Sequence, residues 1–314
     1  MTARAPAVVS ATSVLLLLGL GAPAPSAVQA MPFHTNTALP LPLAEAGIRT
    51  FLQYTESGLA SREGEFAGGP GNPTFRISAL PLMVPYAVRP GTFVMVGIPY
   101  LDKRFEQGGA TQSNRGLGDV TLLVKQELMA ADVVMGNRRL ALFLSATLPS
   151  GETRDEGEAL PVPLRLGSGT TVLKGEAVYS YVQDRVGIHG AVGYALPTGS
   201  HDGVRRGDAF SFDLGLGYRL RPGSLETLRE RTLQAYLELN GTVTQPAVRD
   251  DVPLESTGGT LIYLSPGLQW IPRPNLAVEG SVQVPVSRRV RGTQLAPEWS
   301  GALGLRVLFG PFGR

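Results

Sequence analysis

The 314-residue sequence contains no cysteine. That excludes disulfides, a thiolate nucleophile, thiolate metal ligands and a lipid-bearing cysteine behind a leader. Only three histidines are present, so imidazole chemistry has little material to work with. Neither sign of charge dominates: Lys+Arg number 28 and Asp+Glu 26, which gives no electrostatic basis for binding nucleic acid. Beyond the first thirty residues there is no apolar run near the roughly 20 residues a spanning helix needs. Aromatics make up only 7 % of the chain.

Glycine, by contrast, is abundant, at 39 residues. The chain opens with Arg4, an apolar run from Val14 to Leu20, and the small-residue site Val28-Gln29-Ala30. This is the layout of a secretory signal peptide over residues 1–30. After it, apolar residues recur at every second position. In AFSFDLGLGYRL (209–220), Phe210, Phe212, Leu214, Leu216, Tyr218 and Leu220 form one row, and Ser211, Asp213, Gly215, Gly217 and Arg219 the other. A period of two means a strand with two unlike faces. The same pattern recurs at 139–148, 185–196, 276–286 and 299–309, and more weakly at 120–128, 171–181, 233–243 and 260–270. It is least regular at 47–56, 74–87 and 92–100, where Pro81 and Pro85 argue against one continuous central strand.

About twelve strands of 9 to 12 residues suit a tilted membrane crossing. Short connections at 89–91, 183–185 and 272–275 alternate with long polar ones near 57–72, 101–116, 149–168, 197–208, 245–259 and 287–298. The expected fold is therefore all-β: a transmembrane antiparallel up-and-down barrel. It occupies residues 47–314, preceded by a periplasmic or lumenal arm at 31–46, in the outer membrane of a Gram-negative cell. Closure of the barrel satisfies every backbone group in hydrocarbon, with the apolar row facing lipid. A secreted β-sandwich or a soluble solenoid is the alternative. Tyr54, Tyr86, Tyr100, Tyr194, Tyr218, Trp270, Trp299 and Phe309 fall toward strand ends, where interface girdles sit.

RGLGDVTLLVKQEL (115–128) and LALFLSATLPSGE (140–152) resemble the outer-membrane barrel family named for the meta-pathway of phenol degradation. GYALPTGSHDG (193–203), GGTLIYLSPGLQW (258–270) and LAVEGSVQVPV (276–286) extend the resemblance over most of the mature chain. These motifs set strand starts and loop entries and carry no catalytic residue. The resemblance implies a transporter, and its name implies aromatic compounds. One departure is the tail: such barrels usually end on an aromatic read by the assembly machinery, whereas Gly310 to Arg314 follow Phe309 here.

The inward row holds Asp119, Lys125, Glu127, Arg139, Lys174, Glu176, His189, Asp213, Arg219, Glu238, Glu279 and Arg306. Mixed charges in such surroundings must be paired or hydrated. They line either a polar path, narrowed by 151–158 or by the arm, or an ion-paired plug. Catalysis is not expected. Ser200-His201-Asp202 is too local to form a triad, and His189 with Ser180 and Glu176 lies low in its strand. No cofactor or metal is expected; Asp250, Asp251 and Glu255 lack the spacing of a calcium loop. Arg205-Arg206 and Arg288-Arg289-Val290-Arg291 are placed to meet lipopolysaccharide phosphates. The sequence thus points to a channel for passive passage of small, aromatic or hydrophobic molecules. The other reading is a closed surface barrel whose loops bind lipopolysaccharide or a protein.

Overall fold

The computed structural model describes residues 31–41, 45–66, 72–155, 158–224 and 230–310. The expected signal peptide, and all but the first residue of the tail after Phe309, lie outside them. The chain folds into one closed antiparallel barrel of twelve strands. They are β1 (Ala46–Ala60), β2 (Thr74–Arg89), β3 (Thr92–Gln107), β4 in two runs (Ala110–Leu117 and Thr121–Val133), β5 (Gly136–Thr147) and β6 (Val172–Gln183). The circuit continues through β7 (Val186–Pro197), β8 (Ala209–Arg221), β9 (Thr232–Thr244), β10 (Gly259–Arg273), β11 (Leu276–Val290) and β12 (Gln294–Phe309). Each strand pairs with its sequence neighbours, and β1 closes on β12 from Ala46↔Phe309 to Ala60↔Gln294.

The alternation in AFSFDLGLGYRL resolves as lipid outside. Phe210, Leu214, Leu216, Tyr218 and Leu220 are exposed, while Gly215, Gly217 and Arg219 are buried in the barrel interior. Outward rows of the same kind run down β7 (Ile188, Val192, Tyr194) and β11 (Val282, Val284, Val286). On β8, the eight steps from Phe210 to Tyr218 rise about 27 Å along the strand, or about 21 Å along the axis at a tilt near 40°. That is close to the apolar height of a membrane barrel. Exposed aromatics mark both ends of this band. Tyr100, Tyr194 and Trp299 lie toward the long loops, with half-buried Tyr54 beside Trp299, and Tyr86, Tyr218 and Trp270 toward the short turns. Tyr54 and Trp299 touch across β1 and β12, with centroids 5.3 Å apart.

Three expectations are corrected. The segments 101–116 and 287–298 are not long loops. β3 and β4 continue as a hairpin to Gln107 and Ala110 around Gly108 and Gly109, both at positive φ. β11 and β12 likewise run to Val290 and Gln294. These extensions carry ion pairs on their outer face, such as Arg76 with Glu56 and Glu106 at 3.2 and 2.8 Å, so polar residues there mean strand above the membrane rather than loop. Finally, β2 runs unbroken through Pro81 and Pro85. Its register with β3 is continuous from Thr74 to Ala87, including Pro81↔Pro99 and Pro85↔Met95. Toward β1 the pairing skips the positions opposite the two prolines. Both missing donors fall on that one seam, which is how a central strand accommodates them.

The remaining long connections fold back on one another. Residues 204–205, 248–249 and 252–253 form a small three-stranded sheet above the barrel. Asp202 accepts from Arg154 and Arg165, each at 2.9 Å, and ties the 149–171 connection to the 197–208 one. A one-residue bulge interrupts β4 at 118–120, opposite Pro99 of β3. There Asp119 accepts the amides of Gly151 and Ser168 at 2.9 and 2.7 Å.

Candidate functional site

The lumen is occupied by the chain's own N-terminal arm. Residues 31–41 enter at the short-turn end and lie across the interior before β1 begins. Glu238 on β9 is the main anchor. Its carboxylate accepts backbone amides from Phe33 (2.8 Å), His34 (3.0 Å) and Thr35 (2.6 Å). Three converging N–H groups on a buried anion make a strong, charge-assisted cradle. Farther along, the Asn36 amide donates to Glu176, and the Ala38 amide donates to Ser180 Oγ at 2.8 Å. Ser180 Oγ also meets His189 Nδ1 at 2.9 Å. Lys125 then donates to the carbonyls of Ala38 (2.7 Å) and Leu39 (2.6 Å).

The glycines of β8 explain part of the chain's glycine content. A Cβ on Gly215 would come within 2.9 Å of Pro32, and one on Gly217 within 2.6 Å of the Tyr236 ring. Small residues on this row leave the room in which the arm lies.

A second polar group sits where the arm meets the barrel seam. Glu279 accepts Arg49 Nε at 2.7 Å, Arg306 at 2.8 Å and Gln269 Nε2 at 2.9 Å. Arg49 in turn donates to Phe33 O at 2.7 Å, and its guanidinium lies over the Phe33 ring. The other inward charges are paired as well. Glu127 holds Arg139 at 2.7 Å, Lys174 holds Glu176 at 2.8 Å, and Arg219 reaches Asp184 at 2.9 Å. Asp213 accepts from Asn240 at 2.8 Å. All twelve residues singled out in the sequence are thus accounted for. Most serve to hold the arm or one another, and Asp119 pins a loop.

The opposite wall was not legible in the sequence. From β2 to β5 the inward row carries an apolar patch, Pro81, Met83, Pro85, Phe93, Met95, Leu123 and Phe143, beside the polar Lys125, Glu127 and Arg139. The arm covers only part of it, where Ala38 packs against Phe143 with Phe93 and Leu123 beside it. A cavity of about 140 Å³ separates this wall from Leu39 and Leu41 of the arm and reaches Arg306 and Leu308 at the short-turn end. A second, of about 360 Å³, continues past Asn36 toward Asp119, Thr147 and Lys174 at the long-loop end. The two share Met83, Met95, Leu123 and Phe143. The lumen is therefore uneven: polar around Glu238 and Glu279, where most of the arm's hydrogen bonds fall, and largely apolar along β2 and β3. Two facing methionines suit such a surface, because their flexible thioethers adapt to varied shapes.

Residues 83–296 match the family described as "Putative MetA-pathway of phenol degradation". The chain belongs to this family. Among solved structures, it is similar to the COG4313 outer membrane channel from Pseudomonas putida F1, with a TM-score of 0.67 and 13 % identity. That alignment covers 90 % of this chain and all of the other. It is less similar to the beta domain of the Bordetella autotransporter Brka, with a TM-score of 0.48 and 14 % identity over 84 % of this chain and all of that one. No curated protein matches it. The family membership and the first similarity agree with the twelve-strand barrel; neither assigns a residue a role.

Candidates for other chemistry are placed elsewhere. His201 packs over Gly169 with Nε2 3.5 Å from Asp202, whose carboxylate is already held by two arginines. The triplet 200–202 therefore works as a loop clasp. Arg288 lies over the Phe66 ring at 4.2 Å and donates to Pro297 O, so it is spent on packing.

Proposed function

We propose that the protein is an outer-membrane channel that passes small apolar molecules by passive diffusion, exported to that membrane by its N-terminal signal peptide. The observation that carries this reading is the pair of adjoining cavities along the apolar β2–β5 wall. A solute moving there stays against Met, Phe, Leu and Pro side chains and need not displace the arm from Glu238. The short turns and the arm then face the periplasm, and the loops face outward. Exposed Arg104 and Arg289, beyond the outer aromatic girdle, are the groups we assign to lipopolysaccharide phosphates, and β12, ending at Phe309, is the strand offered to the assembly machinery. Similarity to a protein titled an outer membrane channel supports the reading.

The test is uptake of a hydrophobic fluorescent probe, N-phenylnaphthylamine, by cells whose intact lipopolysaccharide leaflet excludes it. Expression should speed uptake several-fold, and filling the wall with Met83→Trp and Met95→Trp should return the rate to that of control cells. Equal uptake with and without the protein would contradict the proposal. It would favour the closed surface barrel, for which the Glu238 cradle and the Asp202 clasp are the supporting observations.

A further inference from the structure

Lys125 is a fully buried cation in a place that calls for an anion. It projects inward from β4, and its register partners are Phe93 on β3 and Phe143 on β5. The ammonium lies 5.5 and 5.9 Å from the two ring centroids, which themselves meet edge to face at 6.1 Å. Among the described residues no carboxylate forms an ion pair with it. Glu127, two places along the same inward row, is held by Arg139 at 2.7 Å. Glu176, across Phe143 on β6, is held by Lys174 at 2.8 Å. What Lys125 does hold is two neutral carbonyl oxygens of the arm, from Ala38 and Leu39. Burying an ammonium is costly, and two rings with two peptide carbonyls offset that cost less well than a carboxylate would.

Two acceptor oxygens on one ammonium also describe a bound carboxylate. Phe93, Phe143 and Leu39 border the cavity of about 140 Å³, so an apolar tail attached to that carboxylate would run directly onto Met83, Met95 and Leu123. From this we infer that Lys125, between Phe93 and Phe143, is a binding site for the carboxylate of a small apolar acid. The Ala38 and Leu39 carbonyls occupy it when no acid is bound. Binding displaces this part of the arm, while the Glu238 cradle, on the far wall, is not in competition. The inference rests on the channel reading and narrows its solutes to apolar monoanions with a tail short enough for the cavity.

The cysteine-free chain makes the test direct. Thr37→Cys places one thiol on the buried arm beside the cavity, and the rate of its labelling by a maleimide reports displacement. Hexanoate and hexan-1-ol serve as probes with the same tail. We expect hexanoate to speed labelling about tenfold or more and hexanol to leave it nearly unchanged. In Lys125→Met the hexanoate effect should vanish, and in Lys125→Arg it should persist in part. Equal responses to hexanoate and hexanol would overturn the site, as would a full hexanoate response in Lys125→Met. The probe comparison needs no substitution at Lys125, so it decides even if Lys125→Met fails to fold. Single-channel recording of the same preparation separates the two levels. Conductance without hexanoate selectivity removes this site alone, whereas absence of conductance with and without the arm removes the channel reading itself.

Discussion

Glu238 is the residue on which the position of the arm most depends. It is fully buried and accepts three arm amides, so Glu238→Gln removes the charge from all three bonds at once. At about 1 kcal/mol per bond, docking should weaken by about 3 kcal/mol, a roughly hundredfold rise in the undocked population. Proteolysis within residues 31–41 should then become fast while the barrel keeps its heat-modifiable migration on gels. Glu279 is a different case, because it holds Arg49 and Arg306 inside the wall. Glu279→Ala leaves a buried and a half-buried guanidinium without this counterion and should destabilise the barrel itself by about 3–5 kcal/mol, read as a lower unfolding midpoint in denaturant. That these residues point inward was legible, since a charge on a period-two strand in lipid must take the lumenal row. Their partners were not. Phe33 and Glu238 lie more than two hundred positions apart, and no local pattern couples an arm to a strand at that distance.

At the scale of the strand, the two faces of β8 should respond differently to the same change. Leu214 sits near the middle of the outward row. Leu214→Arg should cost about 2–4 kcal/mol, and Leu220→Arg, near the short-turn interface, about 0–1 kcal/mol, measured by reversible unfolding from bilayers. The strands with alternating rows were readable for the reason this experiment exploits: lipid and lumen select opposite residues. β2 and β3 were harder because both of their faces are apolar within the membrane. Leu80, Leu82 and Val84 face lipid, while Pro81, Met83 and Pro85 face the cavity, so hydrophobicity carries no period there. The wall most relevant to transport was thus the least visible. Loops follow a third rule. Asp202→Asn should release the 149–171 connection from its two arginines, exposing it to limited proteolysis without moving the unfolding midpoint of the barrel.

For the whole molecule, the arm and the wall act as two halves of one lumen. Twelve strands enclose more space than side chains alone fill, and fewer than an open porin needs. Here the chain makes up the difference with its own segment, bound on the polar side. The architecture predicts that the native protein conducts ions poorly, because its free path is apolar, and that the polar half becomes a pore once the arm is gone. The most direct measurement is single-channel conductance in a planar bilayer, comparing residues 31–314 with the same chain lacking 31–41. A low or rarely open conductance that becomes large and steady on removing the arm is the expected result. Equal conductance in the two forms, or none in either, would contradict it.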